Sequence, residues 1–292
     1  MAGCASDSRR DDIDPRDGGF IDAHVHIWTP DTKRYPLAAG FSASRMQPPS
    51  YTPEELFADC KPVGVTRIVL IQMNFYGVDN SYMTDMIREH AGVFSGVAQI
   101  DENDNPREAM KALARHGVRG FRITSGGQGP MEWLSGEGMA AMWKYGAESG
   151  LALCPLIDPN FLPSVSRMCD RFPSTPVVVD HFGRIGVSGE LPKDELDDLC
   201  ELARHPNVKV KASAFYALGQ KKAPYLDLEP MIRRVLDAFG RERVMWASDC
   251  PFQVMGGHSY RESIALVRDR LSFLGSTDRD WILRKTAEKT FF

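Results

Sequence analysis

Two histidines stand two residues apart near the start of this chain, in the run Phe20-Ile21-Asp22-Ala23-His24-Val25-His26-Ile27-Trp28. Read as a β-strand, alternation puts Asp22, His24 and His26 on one face and Ile21, Val25 and Ile27 on the other. Paired imidazoles on one strand face are ligand geometry for a divalent ion. As mere filler they would be costly, because buried polar groups need partners. A third histidine, His181, follows the apolar run Val177-Val178-Val179-Asp180, and alternation points it where Val177 and Val179 point. Asp249 ends Val244-Met245-Trp246-Ala247-Ser248-Asp249. A carboxylate beside imidazoles can ligate a metal, take a proton from water, or do both. Three arginines, Arg34, Arg122 and Arg184, fall just past other apolar runs or at their ends. Guanidinium groups match carboxylates by paired hydrogen bonds, so together they predict an anionic substrate. Lys209, Lys211 and Ser213 alternate along a further run, and Lys211 meets the site carboxylates if that face is interior. Tyr76, Asn80 and Tyr216 are candidate hydrogen bonders to an oxyanion or a substrate hydroxyl.

These residues need a frame that brings them together. Eight strand candidates run along the chain at 20–28, 66–73, 94–100, 118–124, 151–157, 176–182, 207–213 and 243–249. Helix signals fill the gaps. Thr52-Pro53-Glu54-Glu55 has an N-cap threonine, a proline at the first helical position and a capping-box glutamate. Asn105-Pro106-Arg107-Glu108 repeats that grammar, and Gly117, Gly150 and Gly240 supply stops before strands. Ser259 is placed to cap a helix running to Leu274, and Asp278 another running to the C-terminus. Eight strand–helix alternations predict a single (β/α)8 TIM barrel. A doubly wound open sheet would need a G-x-G-x-x-G turn after the first strand, and the chain has none there. In a barrel, strands one and eight are neighbours, so Asp249 falls beside His24 and His26, and the two segments should pair. Two long connections, 28–52 and 125–136, follow strands and are expected over the C-terminal mouth, where active sites form.

The chain has 292 residues, 43% hydrophobic and 25% charged, enough to bury a sizeable core. A net charge of −4 with no basic stripe argues against a nucleic-acid partner. No apolar run reaches the ~20 residues of a membrane span. Residues 1–18 are charged and turn-rich and are expected to be a disordered or processed tail ahead of one hydrolase domain at 19–292. None of the six cysteines forms a C-x-x-C pair, and five sit in apolar segments, which points to buried thiols in the cytoplasm. Met1-Ala2-Gly3-Cys4 offers the alternative of an exported lipoprotein anchored at Cys4, its signal peptide truncated. Oligomeric state is not legible.

The His-x-His of strand one, the Asp180-His181 of strand six and the Trp246-x-Ser248-Asp249-x-Pro251 of strand eight resemble the amidohydrolase superfamily. Within it, the chain is similar to the amidohydrolase-2 branch that contains 2-pyrone-4,6-dicarboxylate lactonase and the sugar lactonases. Arg34-Tyr35-Pro36, the segment from Tyr76 to Ser81, and Val118-Arg119-Gly120-Phe121-Arg122 add to the likeness. The resemblance implies a hydrolase that opens a small lactone, with Asp249 as general base for water. Members with two metals carry a lysine or glutamate on strand four and a histidine on strand five. Here strand four offers Arg122 and Thr124, and 151–157 has no histidine, so a bridged pair of ions is not expected. His24, His26, His181 and Asp249 remain, enough for one zinc ion or for metal-free catalysis. The family includes both arrangements, the dicarboxylate lactonase being metal-free. Two other functions stay open: a mononuclear zinc non-oxidative decarboxylase of an aromatic or muconate-like acid, and a non-catalytic barrel that binds a sugar acid.

Overall fold

Apolar runs rich in β-branched residues become eight parallel strands: β1 (Phe20–Val25), β2 (Val65–Ile71), β3 (Phe94–Ala98), β4 (Val118–Ile123), β5 (Ala152–Pro155), β6 (Val177–Val179), β7 (Val208–Ala212) and β8 (Val244–Trp246). They pair in chain order. The computed structural model describes residues 18–292, so Cys4 and residues 1–17 of the expected tail lie outside the described residues. The sheet closes where the first and last strands meet. Val25 and Cys250 form a parallel bridge. The Asp249 amide donates to the His24 carbonyl at 2.9 Å, and the His26 amide to the Cys250 carbonyl at 2.8 Å. The chain is a (β/α)8 barrel.

Helices follow each strand: α1 (Pro53–Cys60), α2 (Ser81–Glu89), α3 (Pro106–Ala114), α4 (Glu137–Ser149), α5 (Leu162–Arg171), α6 (Lys193–Glu201), α7 (Glu229–Phe239) and α8 (Tyr260–Ala265). The capping box forms at Thr52, whose amide donates to the Glu55 carboxylate at 2.6 Å. Gly150 takes the left-handed φ of +72° that ends α4. Ser259 Oγ caps α8 by accepting the Glu262 amide at 3.2 Å. That helix runs on through a π turn, Leu266–Arg270, and stops short of Leu274. The last helix is capped by Gly275, not Asp278. Asp278 sits three residues inside it and accepts the Gly275 amide at 2.8 Å.

Small and branched side chains fill the barrel's interior: Ile21, Ala23, Val69, Ile71, Val97, Ala152, Cys154, Val178, Met245 and Ala247, with Phe291 from the C-terminal helix Thr286–Phe291. Ile21 is therefore interior, contrary to simple alternation. The cause is an extra residue in β1. Asp22 pairs with Ile68 and Val25 with Leu70, three steps against two. Below this bulge Ile21 and Ala23 point inward and Asp22 points out, where Tyr260 donates to its Oδ2 at 2.5 Å. Above it, His24 and His26 point inward. Asp22 is thus on the opposite face from the histidines.

The glycine-rich connection 125–136 does not cover the mouth. Ser164 Oγ donates to the Pro130 carbonyl, and Trp133 Nε1 donates to the Thr124 carbonyl at 2.8 Å, folding the loop back onto α5 and the end of β4. It lines a separate polar cleft with Glu102 and Asn103. The loop 28–52 packs through Trp28, whose Nε1 donates to the Pro48 carbonyl at 2.8 Å. Neither loop lines the cavity described next.

Candidate active site

The carboxyl ends of β1, β4, β6, β7 and β8 converge on one buried cluster. His26 Nδ1 is 2.9 Å from the Ile71 carbonyl, which can only accept, so Nδ1 carries a proton and Nε2 is turned into the cluster. Nε2 lies 3.3 Å from His24 Nε2 and 3.4 Å from Asp249 Oδ1, and His24 Nε2 is 3.4 Å from the same oxygen. Asp249 Oδ2 accepts from Tyr216 Oη at 2.8 Å and lies 3.9 Å from His181 Nε2. Burial pushes the Asp249 carboxyl up, but the imidazoles of His181, His26 and His24 around it outweigh that and hold it well below the ordinary carboxylate range.

Beneath lies a second carboxylate that sequence reasoning passed over. Asp180 is fully buried, 2.9 Å from Lys211 Nζ, 3.1 Å from Arg122 Nη2 and 3.3 Å from His24 Nδ1. Burial again pushes its pKa up, and Lys211, His24 and Arg122 drive it far down. The same alternation that fills the interior with Val178 points Asp180 inward, and that was the signal to use. His181 follows a different logic. Val177 and Val179 pack in the outer core, away from the site. His181 reaches the mouth because the chain turns left-handed there, with φ of +52° at His181, +54° at Phe182 and +61° at Arg184. Asp249 at +67° and Ala214 at +56° leave their strands the same way. Such backbone costs on the order of 1–3 kcal/mol per residue and persists where surrounding structure enforces it. His181 Nδ1 lies 2.8 Å from Ser213 Oγ. His24 and His181 are both held below the ordinary imidazole pKa, chiefly by burial.

Above the cluster opens a cavity of about 340 Å³. Asp249, His26, His181 and Arg122 line its floor, Tyr216 and Asn74 its sides, and Arg184 its rim. Met73, Leu156, Val187, Leu218 and Phe252 supply apolar wall. Arg184 pairs with Asp158 at 2.9 Å. Three sequence candidates lie elsewhere. Arg34 is exposed and pairs with Asp85, because its loop packs outward. Tyr76 Oη accepts from the Thr29 amide at 3.2 Å and tethers that loop. Asn80 bonds the Val78 and Gln99 carbonyls and the Gln99 amide, pinning the loops after β2 and β3.

The donor set fits one metal ion. Tetrahedral bonds of about 2.1 Å place ligand atoms about 3.4 Å apart, the spacing of the His24, His26 and Asp249 donors. Arg122 Nη2 is 2.9 Å from His24 Nε2, so an ion there must displace that contact. The buried charges also balance internally, Arg122 and Lys211 against Asp180 and Asp249.

The family model described as Amidohydrolase matches residues 21–292. The chain is 26% identical to L-fucono-1,5-lactonase of Burkholderia ambifaria, over 82% of each chain. It is 27% identical to the 2-pyrone-4,6-dicarboxylate hydrolase of Comamonas testosteroni, over 82% of this chain and 79% of that one. Among solved structures, an amidohydrolase from Burkholderia multivorans with bound zinc superposes at a TM-score of 0.78 with 22% identity, covering 94% of this chain and 99% of that one. Matched over nearly its whole described length, with its polar cluster at the carboxyl ends of the barrel strands, the chain belongs to the amidohydrolase family.

Proposed function

We propose that residues 19–292 form a lactonase, a hydrolase that opens a small lactone with a water activated by Asp249. The carrying observation is the Asp249 carboxylate itself. It is ionised, fixed through Oδ2 by Tyr216, and lines the floor of a cavity of about 340 Å³. Asp249 takes a proton from water as the water oxygen bonds to the lactone carbonyl carbon. The Arg122 guanidinium, the buried cation lining that floor, stabilises the resulting oxyanion. Collapse breaks the ring C–O bond, and Asp249 returns the proton to the departing alkoxide, leaving a hydroxy acid. A zinc ion, where bound by His24, His26 and Asp249, would supply Lewis-acid polarisation of the carbonyl.

The relatives named for fuconolactone and pyrone dicarboxylate hydrolysis support this reading. The five described cysteines are all unpaired, which supports a cytoplasmic setting, and no described helix is long and apolar enough to cross a membrane. The test is single-turnover hydrolysis of a lactone panel in oxygen-18 water. Wild type should place label in the product carboxylate. Asp249→Asn should lower the rate by about 10²–10⁴-fold with little change in affinity. Carbon dioxide release without label would make the protein a decarboxylase, and no turnover with any substrate a binding barrel.

A further inference from the structure

We propose that the substrate is an uncharged lactone with an apolar edge, not an anionic one. The inference rests on the lactonase reading and names the substrate class of that site. Each cation near the cavity already faces a carboxylate, and what Arg122 has left serves the reacting carbonyl. Arg122 Nη2 is committed to Asp180 at 3.1 Å and to His24 at 2.9 Å, and Lys211 lies 2.9 Å from the same carboxylate. At the rim, Arg184 holds Asp158 at 2.9 Å. Both are about half exposed, so the pair itself is weak. Breaking it does not create a cationic rim, however, since Asp158 stays beside any carboxylate that Arg184 attracts.

Between floor and rim the wall is mainly apolar, Asn74 and Tyr216 being its polar side chains. Met73, Leu156, Val187, Leu218 and Phe252 line the space where ring substituents must lie. A carboxylate pressed against them loses its water without gaining a partner. An alkyl or methyl group there gains contact and sheds water. An ion on the floor would act on the reacting carbonyl and leave this wall unchanged.

The test compares kcat/KM of the full chain for two δ-lactones of the same ring size, one carrying an alkyl group and one a carboxylate. Wild type should favour the alkyl lactone by roughly tenfold or more, the scale of one unmatched charge in a partly wet cleft. Asp158→Asn removes the rim carboxylate and releases Arg184, so the carboxylate-to-alkyl ratio should rise several-fold. Faster turnover of the carboxylate lactone by wild type, or a ratio unmoved in Asp158→Asn, overturns the proposal. If neither lactone is opened, the reaction reading has failed separately. Charge preference is then read by calorimetry with the matching unreactive tetrahydropyrans. Tighter binding of the alkyl ether upholds it, and tighter binding of the carboxylate ether sinks it.

Discussion

His26 shows how one backbone carbonyl can commit a side chain. With Nδ1 held by the Ile71 carbonyl, its Nε2 is turned to His24 Nε2 at 3.3 Å and Asp249 Oδ1 at 3.4 Å. His24 is pulled two ways, since Arg122 donates to its Nε2 while Lys211 and Asp180 crowd its Nδ1. His24 belongs to both groupings that could hold a cation, His24–His26–Asp249 and His24–Asp180–His181. In the second, Asp180 is already matched by Lys211 and Arg122. Elemental analysis of protein purified without chelator should therefore find no more than one equivalent of zinc. Two equivalents would mean that the buried cations give way. Residue types and strand ends in the sequence point to His24, His26, His181, Asp249, Arg122 and Lys211, which the structure gathers into one cluster. Asp180 was missed because its neighbour His181 drew the chemical reading, although only Asp180 follows the strand's own inward alternation.

Among the elements, the seam between β1 and β8 stands apart from the other strand pairs. It has one bridge and two backbone hydrogen bonds near the mouth. Below them a side chain takes over: Asp22 Oδ1 accepts the His24 amide at 3.1 Å and the Ser248 amide at 2.9 Å, clipping together the two strands that carry His24 and Asp249. Burial raises the Asp22 carboxyl to about 6, the donors from Ser248, Tyr260 and His24 offsetting only part of it. A carboxyl raised on folding gives stability that is fully present below its unfolded value near 3.9 and is lost as pH rises through about 6. Relative to Asp22→Asn, wild type should therefore lose about 2 kcal/mol between pH 4 and pH 7. Denaturant midpoints of both proteins at four pH values measure it, and parallel profiles would show that the carboxyl titrates as it does in the unfolded chain. This seam also marks where sequence reading ran out. Apolar runs and caps placed eight strands and most helices, because burial and capping are local. The bulge between Asp22 and Val25 is not local: it depends on how β1 registers with β2, and it reversed the assigned faces of Ile21 and Asp22. The loop 125–136 failed for a similar reason, since its glycines permit many paths and the contacts with α5 choose one.

For the whole molecule, the barrel is open for chemistry at one end and closed at the other by the helix Thr286–Phe291. Phe291 lies among the interior side chains, 1% exposed, with the Lys211 ammonium 5.6 Å from its ring. Glu288 pairs with Arg67 of β2 at 2.6 Å, and Thr286 Oγ1 donates to the Arg241 carbonyl at 3.2 Å. Phe291→Ala should cost about 3–5 kcal/mol, the usual penalty for emptying a buried aromatic site. Phe292, 43% exposed, should cost less than about 1 kcal/mol when truncated. Equal losses in chemical denaturation would show that the terminus does not act as a plug.

That plug sets an order of events during synthesis. Strand β1 leaves the ribosome long before its interior neighbour Phe291. A nascent chain therefore carries the site histidines and aspartates well before it can build the floor under them. Until Phe291 has emerged it exposes an apolar barrel interior from below, the kind of surface that recruits chaperones. The site is complete only once the helix Thr286–Phe291 has docked.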